Sequence, residues 1–308
     1  MTSGGTADAA VTSSVAELVE DGRAKVNLTL RVAGRRFDGY HDLESVVAFA
    51  DCADRLSLLP GPELQLKTTG PLANSCGDLA DNLVLKAARL LGERVSGLKV
   101  GVFTLDKVLP VAAGIGGGSA DAAAALRLLA RVNGLALGDA RLAEVAQLTG
   151  ADVPVCVASR ACIMTGVGET LLPLALPRLA CVLVNPRVAV ATKDVFDALG
   201  LRSGDLLVGA TDVIQAVAWP EDGAGADDWI EAFASGANDL QEPACRIQPV
   251  IGEVLSALGG ADGARLVRMS GSGATCFAIF DDAVAAQAAA RKIQLAHPQW
   301  WVHAGMLS

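Results

Sequence analysis

The segment Pro110-Val-Ala-Ala-Gly114-Ile-Gly116-Gly117-Gly118-Ser119-Ala120-Asp121 constrains this chain more than any other stretch. Glycines at that density let the backbone turn tightly and aim several N–H groups into one concavity. An Ala/Leu-rich run follows from about Ala120 to Val132, and Asn133-Gly134 closes it as a helix. Ahead of the glycines, Leu98 to Leu105 has the β-branched and aromatic content of a strand, and Pro110 forces a loop. A strand, a glycine loop and a helix N-terminus in that order suit an anion such as phosphate, although a purely structural turn uses the same residues. Two familiar phosphate loops do not fit. A Walker loop needs a lysine after its glycines, and a dinucleotide loop needs a glycine where Ser119 stands. Ser119 either caps the helix or touches the phosphate unit. Asp121 either favours the helix N-terminus or holds Mg2+ through a water.

The charge balance narrows the ligand class. With 25 basic against 34 acidic residues and no basic run, the chain lacks the footprint of a nucleic-acid binder. A small anionic metabolite remains compatible, because a few local cations and N–H donors suffice to hold it. Seven cysteines without a CxxC pair, and three scattered histidines, give neither a disulfide framework nor a zinc cluster. Residues 1–20 are expected to be a flexible tail, since they lack a basic n-region and an apolar core. No run approaches the roughly 20 apolar residues of a membrane helix. A cytoplasmic chain without membrane partners is the expectation.

Four further constellations carry chemistry. In Ala24-Lys25-Val26-Asn27-Leu28, period-2 alternation puts Lys25 and Asn27 on one face of a strand, either at a charged edge or in a site. Asp38-Gly39-Tyr40-His41 places the one tyrosine beside an imidazole, which suits a heterocycle or simply a turn with a packed aromatic. In Thr149-Gly150-Ala151-Asp152-Val153-Pro154, Asp152 either caps a turn or helix or stands against an attacking hydroxyl. Ser270-Gly-Ser-Gly-Ala-Thr275 is a glycine turn, or a second backbone wall near the phosphates.

Between these points, strands are expected at Ala24–Val32, Leu43–Ala50, Asp54–Leu59 and Leu64–Thr68. A helix over Asp81–Leu91 should stop at Gly92, and another should begin after Asp139 and close at Gly150. A turn at Ala151–Pro154 then leads into apolar strands up to Met164. The length allows two domains at about 150 residues each, with a division near Gly166 to Glu169. Beyond it come a buried strand, Leu179–Asn185, and a surface excursion at Ala210–Asp227. A strand–turn–strand unit follows over Leu266–Phe280, and a helix over Ala283–Ala296.

No single motif decides the function, but their order does. AKVNLTLRVAGRRFDGYHDLESV, LDKVLPVAAGIGGGSADAAAAL, TGADVPVCV and RMSGSGATCFAIF together resemble the GHMP kinase superfamily from Arg23 to the C-terminus. The resemblance points to its branch acting on 4-diphosphocytidyl-2-C-methyl-D-erythritol in non-mevalonate isoprenoid synthesis. Residues from about Leu201 to Ala232 carry little of the signal.

The resemblance implies an α/β (α+β), two-domain fold. An N-terminal domain like domain 2 of ribosomal protein S5 would span residues 21–166, and a ferredoxin-like domain residues 167–308. ATP and Mg2+ would be the cofactors, and the state a monomer or weak homodimer. Lys25 and Asp152 match the family's catalytic pair. Pro110, Val111, Ala112, Ala113, Gly114, Ile115, Gly116, Gly117, Gly118, Ser119 and Ala120 match its ATP-phosphate segment, and Lys107 a basic residue on the nucleotide side. Tyr40 and His41 match the cytidine-recognition pair, Phe196 the aromatic on the other cytosine face, and Asn27 and Thr192 the channel lining. Asn238-Asp239-Leu240 is expected to pack near the site. Rival readings are a related kinase for homoserine, mevalonate or a sugar, and a nucleotide-binding relative without catalysis. A dinucleotide oxidoreductase fits the loop poorly.

Overall fold

The computed structural model describes residues 16–206, 219–221 and 223–308. The first strand, β1 (Leu18–Asn27), begins six residues before the expected start at Ala24. Leu18 to Asp21 pair with Leu58 to Arg55, so residues 18–20 of the expected tail are part of the sheet; residues 1–15 lie outside the described residues. After β2 (Arg31–Arg35), the two strands expected around Ala50 and Asp54 are one, β3 (His41–Gly61). The stretch between them stays extended because β1 pairs along both parts, with a register jump between Arg23 and Lys25 absorbing the irregularity.

Strand β4 (Gln65–Thr69) leads to α1 (Leu83–Arg94), where Asn82 accepts from the Val84 N–H as the cap. Gly92 does not end this helix. Strand β5 (Val100–Asp106) delivers the chain to the glycine loop, and α2 (Gly117–Asn133) leaves it, closing on Gly134 as expected. Asp139 caps α3 (Ala140–Thr149) by accepting from the Arg141 N–H. The expected turn after Gly150 becomes a short helix, α4 (Val153–Ala158), because Pro154 sits in its first turn, where a missing N–H costs nothing. Strands β6 (Cys162–Gly166) and β7 (Thr170–Pro173) form a hairpin, so the expected division at Gly166 to Glu169 falls at the end of β6 and in its turn.

The second half runs β8 (Leu179–Asn185), α5 (Thr192–Asp197), helices Ala226–Ala234, Gln241–Ile247 and Val250–Gly259, and β9 (Ala264–Met269). It ends with β10 (Cys276–Phe280), helix Ala283–Ala296 and β11 (Trp301–Leu307). Residues 210–218 and 222 of the expected surface excursion lie outside the described residues. Its far end is helical from Ala226, and Trp219 stacks on Trp229 rather than standing in solvent.

All eleven described strands join one mixed sheet with the central order β4-β5-β3-β11-β8-β10-β9. The order β11-β8-β10-β9 with intervening helices is the ferredoxin-like βαββαβ unit. One apolar core lies between the first half of the sheet and α1, α2 and α3. Another lies between the second half and helices Val250–Gly259 and Ala283–Ala296. A third joins the halves: Val26, Leu28, Val46 and Ala48 pack with Leu183, Phe277, Trp229 and Phe233.

Candidate active site

The bulge in β1 leaves the Lys25 N–H free of β3, and it donates instead to the Ile115 carbonyl at 2.9 Å. That bond fixes the glycine loop directly over the lysine. Lys25 is 3% exposed, which rules out the charged-edge reading. Its ammonium pairs with Asp152 Oδ1 at 3.0 Å and donates to Asn27 Oδ1 at 2.9 Å. An ammonium has three donors, so one is left beyond these two bonds. Asn27 is oriented in turn: its amide donates to Ser45 Oγ at 2.7 Å, and that hydroxyl donates to the Thr29 carbonyl at 2.5 Å.

Asp152 stands at the N-terminal flank of α4, yet its side chain makes no capping bond. The capping reading is therefore overturned. Its carboxylate turns to Lys25 and stays about one-third exposed, so it is both held and reachable.

The glycine loop is interlocked with the Ser270–Thr275 turn. Gly114 has φ +75°, and a Cβ there would lie 2.4 Å from the Ser270 carbonyl oxygen. A Cβ on Gly271 would lie 2.6 Å from the Gly114 oxygen. The Thr275 N–H donates to the Ala113 carbonyl at 3.0 Å, and Ser270 Oγ donates to that of Gly114 at 2.9 Å. Gly271 and Ser272 face the same cleft as the loop, so the turn is the second wall. Gly116, at φ +63°, occupies the cap position of α2. Ser119 lies inside the first turn and lines the cleft, so of its two readings the capping one fails.

Lys25, Asn27, Asp152, Ala112, Ala113, Gly114, Gly116, Gly117, Gly118 and Ser119 share one cleft of about 380 Å3 with Thr192 and Phe196. A mostly apolar pocket of about 450 Å3, with Tyr40, His41 and Phe196, adjoins it and shares Leu43, Ala151, Thr192 and Phe196. The cleft thus runs from the glycine loop past the Lys25–Asp152 pair to the aromatics. His41 stacks on Phe196 with ring centroids 4.5 Å apart, and burial holds its pKa below the ordinary imidazole value. Tyr40 stands at the rim, 59% exposed. Thr192 Oγ1 and Ser272 Oγ, 2.9 Å apart, bridge α5 to the glycine turn.

Some expected members face elsewhere. Pro110, Ile115 and Ala120 are buried and serve the loop's backbone path, and Val111 is exposed outside the cleft. Lys107 is 2% exposed, and its ammonium is taken by Asp54 and Asp121, so it does not present a cation to the cleft. Burial works against its charge, but the two carboxylates outweigh it and raise its pKa. Asp121 is likewise buried and points at Lys107, not into the cleft, which removes it as a holder of Mg2+. Burial pushes its pKa up to about 7 despite Lys107.

Sequence reasoning missed Ser45, whose hydroxyl orients Asn27, and Asp54, Lys107's partner. Neither stands in a distinguishing local pattern. Asn238-Asp239-Leu240 packs as expected: the Asn238 amide donates to the Met269 and Gly271 carbonyls, and Leu240 lines the cleft. Among the described residues no group of three or more His, Cys, Asp or Glu gathers as a metal site, and no helix is long and apolar enough to cross a membrane.

A glycine loop at a helix N-terminus, a Lys–Asp pair opposite it and a ferredoxin-like second half define a GHMP-type small-molecule kinase. The models "GHMP kinases N terminal domain" and "GHMP kinases C terminal" match residues 82–160 and 226–299. A 4-diphosphocytidyl-2-C-methyl-D-erythritol kinase from Bradyrhizobium diazoefficiens is 71% identical over 296 residues, covering 96% of this chain and 100% of the relative. One from Rhodopseudomonas palustris is 71% identical over 294 residues, covering 96% of each. A crystal structure of 4-(cytidine 5'-diphospho)-2C-methyl-D-erythritol kinase superposes with TM-score 0.71 at 32% identity, over 94% of this chain and 99% of that one. A homoserine kinase from Cytophaga hutchinsonii, at 16% identity and TM-score 0.67 over 98% of this chain and 97% of that one, shares the fold alone. The chain belongs to the 4-diphosphocytidyl-2-C-methyl-D-erythritol kinase family.

Proposed function

We propose that this chain transfers the γ-phosphoryl group of ATP to the tertiary 2-hydroxyl of 4-diphosphocytidyl-2-C-methyl-D-erythritol, giving the 2-phosphate and ADP in the non-mevalonate isoprenoid route. The observation that carries this reading is the continuity of the cleft: phosphate loop, Lys25–Asp152 pair and aromatic pocket lie along one path.

In this reading the loop backbone and the N-terminus of α2 hold the ATP phosphates. Asp152 accepts the hydroxyl proton, the substrate oxygen bonds to the γ-phosphorus, and the bridging bond to the β-phosphate breaks to release ADP. Lys25 holds Asp152 in place, and its remaining donor offsets charge on the transferring group. Mg2+ would supply further charge neutralisation when bound. Ser119, in the first turn of α2 and on the cleft, would meet the metal–phosphate unit, which leaves the free Asp152 oxygen to the hydroxyl proton. Tyr40, His41 and Phe196 receive the cytidine, with Asn27 and Thr192 along the channel. Residues before the β6–β7 hairpin supply the glycine loop, the Lys25–Asp152 pair, Tyr40 and His41, and those after it supply Thr192, Phe196 and the Ser270–Thr275 wall.

The test is ADP release with ATP, Mg2+ and the cytidine substrate, run beside homoserine and mevalonate. Turnover confined to the cytidine substrate is expected. ATP binding without turnover on any of the three would favour the inactive relative.

A further inference from the structure

Lys107, Asp54 and Asp121 are almost fully buried beneath the phosphate loop, and each touches a different part of it. Asp54, on β3, accepts the Val108 and Leu109 N–H groups at 2.7 and 2.9 Å, which pins the chain entering the loop. Asp121, on α2, ties the helix that leaves the loop to the Lys107 ammonium at 2.7 Å. That ammonium also bonds Asp54, closing the link between entry and exit. It sits just under the first turn of α2, 3.3 Å from where a Gly117 Cβ would project. The residues of that turn, Gly117, Gly118 and Ser119, line the cleft. Asp121 Oδ1 has no hydrogen-bond partner, so the helix depends on its other oxygen for this tie.

We propose that Asp54, Lys107 and Asp121 are positioning residues for ATP: a buried clamp that fixes both ends of the phosphate loop, with Lys107 acting through the backbone rather than by touching the nucleotide. This rests on the loop being the ATP-phosphate site. Phosphate recognition by N–H groups depends on their geometry, so loosening the clamp should weaken ATP while leaving the distant cytidine pocket alone.

Direct contact and the clamp predict opposite signs for one variant. Asp54→Asn frees the Lys107 ammonium from a carboxylate. Direct contact would then leave ATP affinity unchanged or improve it, whereas the clamp predicts weaker binding. The experiment measures ATP affinity by direct titration of the full-length protein, with the KM for ATP and for the cytidine substrate and kcat alongside. Asp54→Asn, Lys107→Met and Asp121→Leu are each expected to weaken ATP about tenfold, with the cytidine KM changing less than about twofold. The double variant Asp54→Asn/Lys107→Met should lose little more than either single one, because one unit has been broken. Asp121→Asn keeps an acceptor for Lys107 and should recover most of the loss of Asp121→Leu, which covers the case in which the leucine variant does not fold. Tighter ATP binding in Asp54→Asn beside weaker binding in Lys107→Met would overturn the clamp. So would equal losses in kcat and both KM values, or unchanged ATP affinity in every variant. Wild-type protein that does not bind ATP at all would instead sink the kinase reading beneath it.

Discussion

Asp152 and Lys25 illustrate how a charged side chain acquires a role from what it is denied. Lys25 is out of water, and its two bonded acceptors are on Asp152 and Asn27. Asp152 keeps one oxygen for something else. Asp152→Asn preserves shape but loses the proton acceptor, so kcat should fall by about 10^2 to 10^4, the usual worth of a positioned base. ATP binding should persist, and titration of ATP into the variant checks this. Equal loss of binding would mark Asp152 as structural. Phe196→Ala should raise the KM for the cytidine substrate with little change in that for ATP, by a factor matching about 1–3 kcal/mol of base stacking. Steady-state kinetics with each substrate varied in turn would show it. Asp121 makes a pH prediction. Between the ordinary carboxyl value and about 7, the folded chain keeps a proton that the unfolded chain has released, so stability falls as pH rises through that window. Asp121→Asn lacks this loss, and its melting temperature relative to wild type should climb from pH 5 to pH 8. A constant difference would show that Asp121 does not titrate there.

At the scale of elements, local chemistry was legible and long-range chemistry was not. Asp139, Asn133-Gly134 and the limits of helix Ala283–Ala296 follow from caps and periodicity alone. Gly92 misled, because its backbone is not left-handed and so does not turn the chain out of the helix. Here nothing closer than Leu98 Cδ2 at 4.0 Å crowds it, and the helix runs on. The Lys25–Asp152 pair could be named from resemblance, but no local pattern shows that β1 and the start of α4 meet. The true position of Lys107 depended on Asp54, half a domain away. The glycine loop separates two uses of one residue type. Gly114 is both left-handed and pressed against the Ser270 carbonyl, so Gly114→Ala should disrupt the loop and lower the melting temperature. Gly118 has ordinary φ and only Leu83 Cδ1 at 3.7 Å, so Gly118→Ala should be stable, gaining up to about 1 kcal/mol of helix propensity. Its methyl would stand on the cleft side, and the KM for ATP should rise without loss of fold. A Gly118→Ala variant with unchanged ATP affinity would place the phosphates elsewhere.

For the whole molecule, the question is whether the halves matched by the N- and C-terminal kinase models behave as two units. The sheet argues that they do not, since β11 pairs with β8 and also reaches β3, where Leu307 stands opposite Ala50. Ser308 and Phe49 exchange backbone hydrogen bonds at 3.0 Å, and Arg23 donates to Ser308 Oγ at 2.9 Å. Buried Arg268 adds a second tie, donating to the Leu28 carbonyl on one side and those of Phe233 and Gly236 on the other. The third apolar core draws residues from both halves, so neither can unfold without exposing part of the other's interior. All four tryptophans, at 219, 229, 300 and 301, lie in the second half, which gives a probe confined to it. In urea, tryptophan fluorescence should therefore lose its native signal at the same midpoint as far-ultraviolet circular dichroism, which reports on both halves. Leu183→Ala, within the shared core, should move both midpoints down together, by the roughly 2–5 kcal/mol typical of such a truncation. A fluorescence transition that came first, with the dichroism of the first half surviving it, would mean that the shared core does not couple them. The catalytic cleft would then owe its shape to substrate binding, because its two walls, the glycine loop and the Ser270–Thr275 turn, come from different halves.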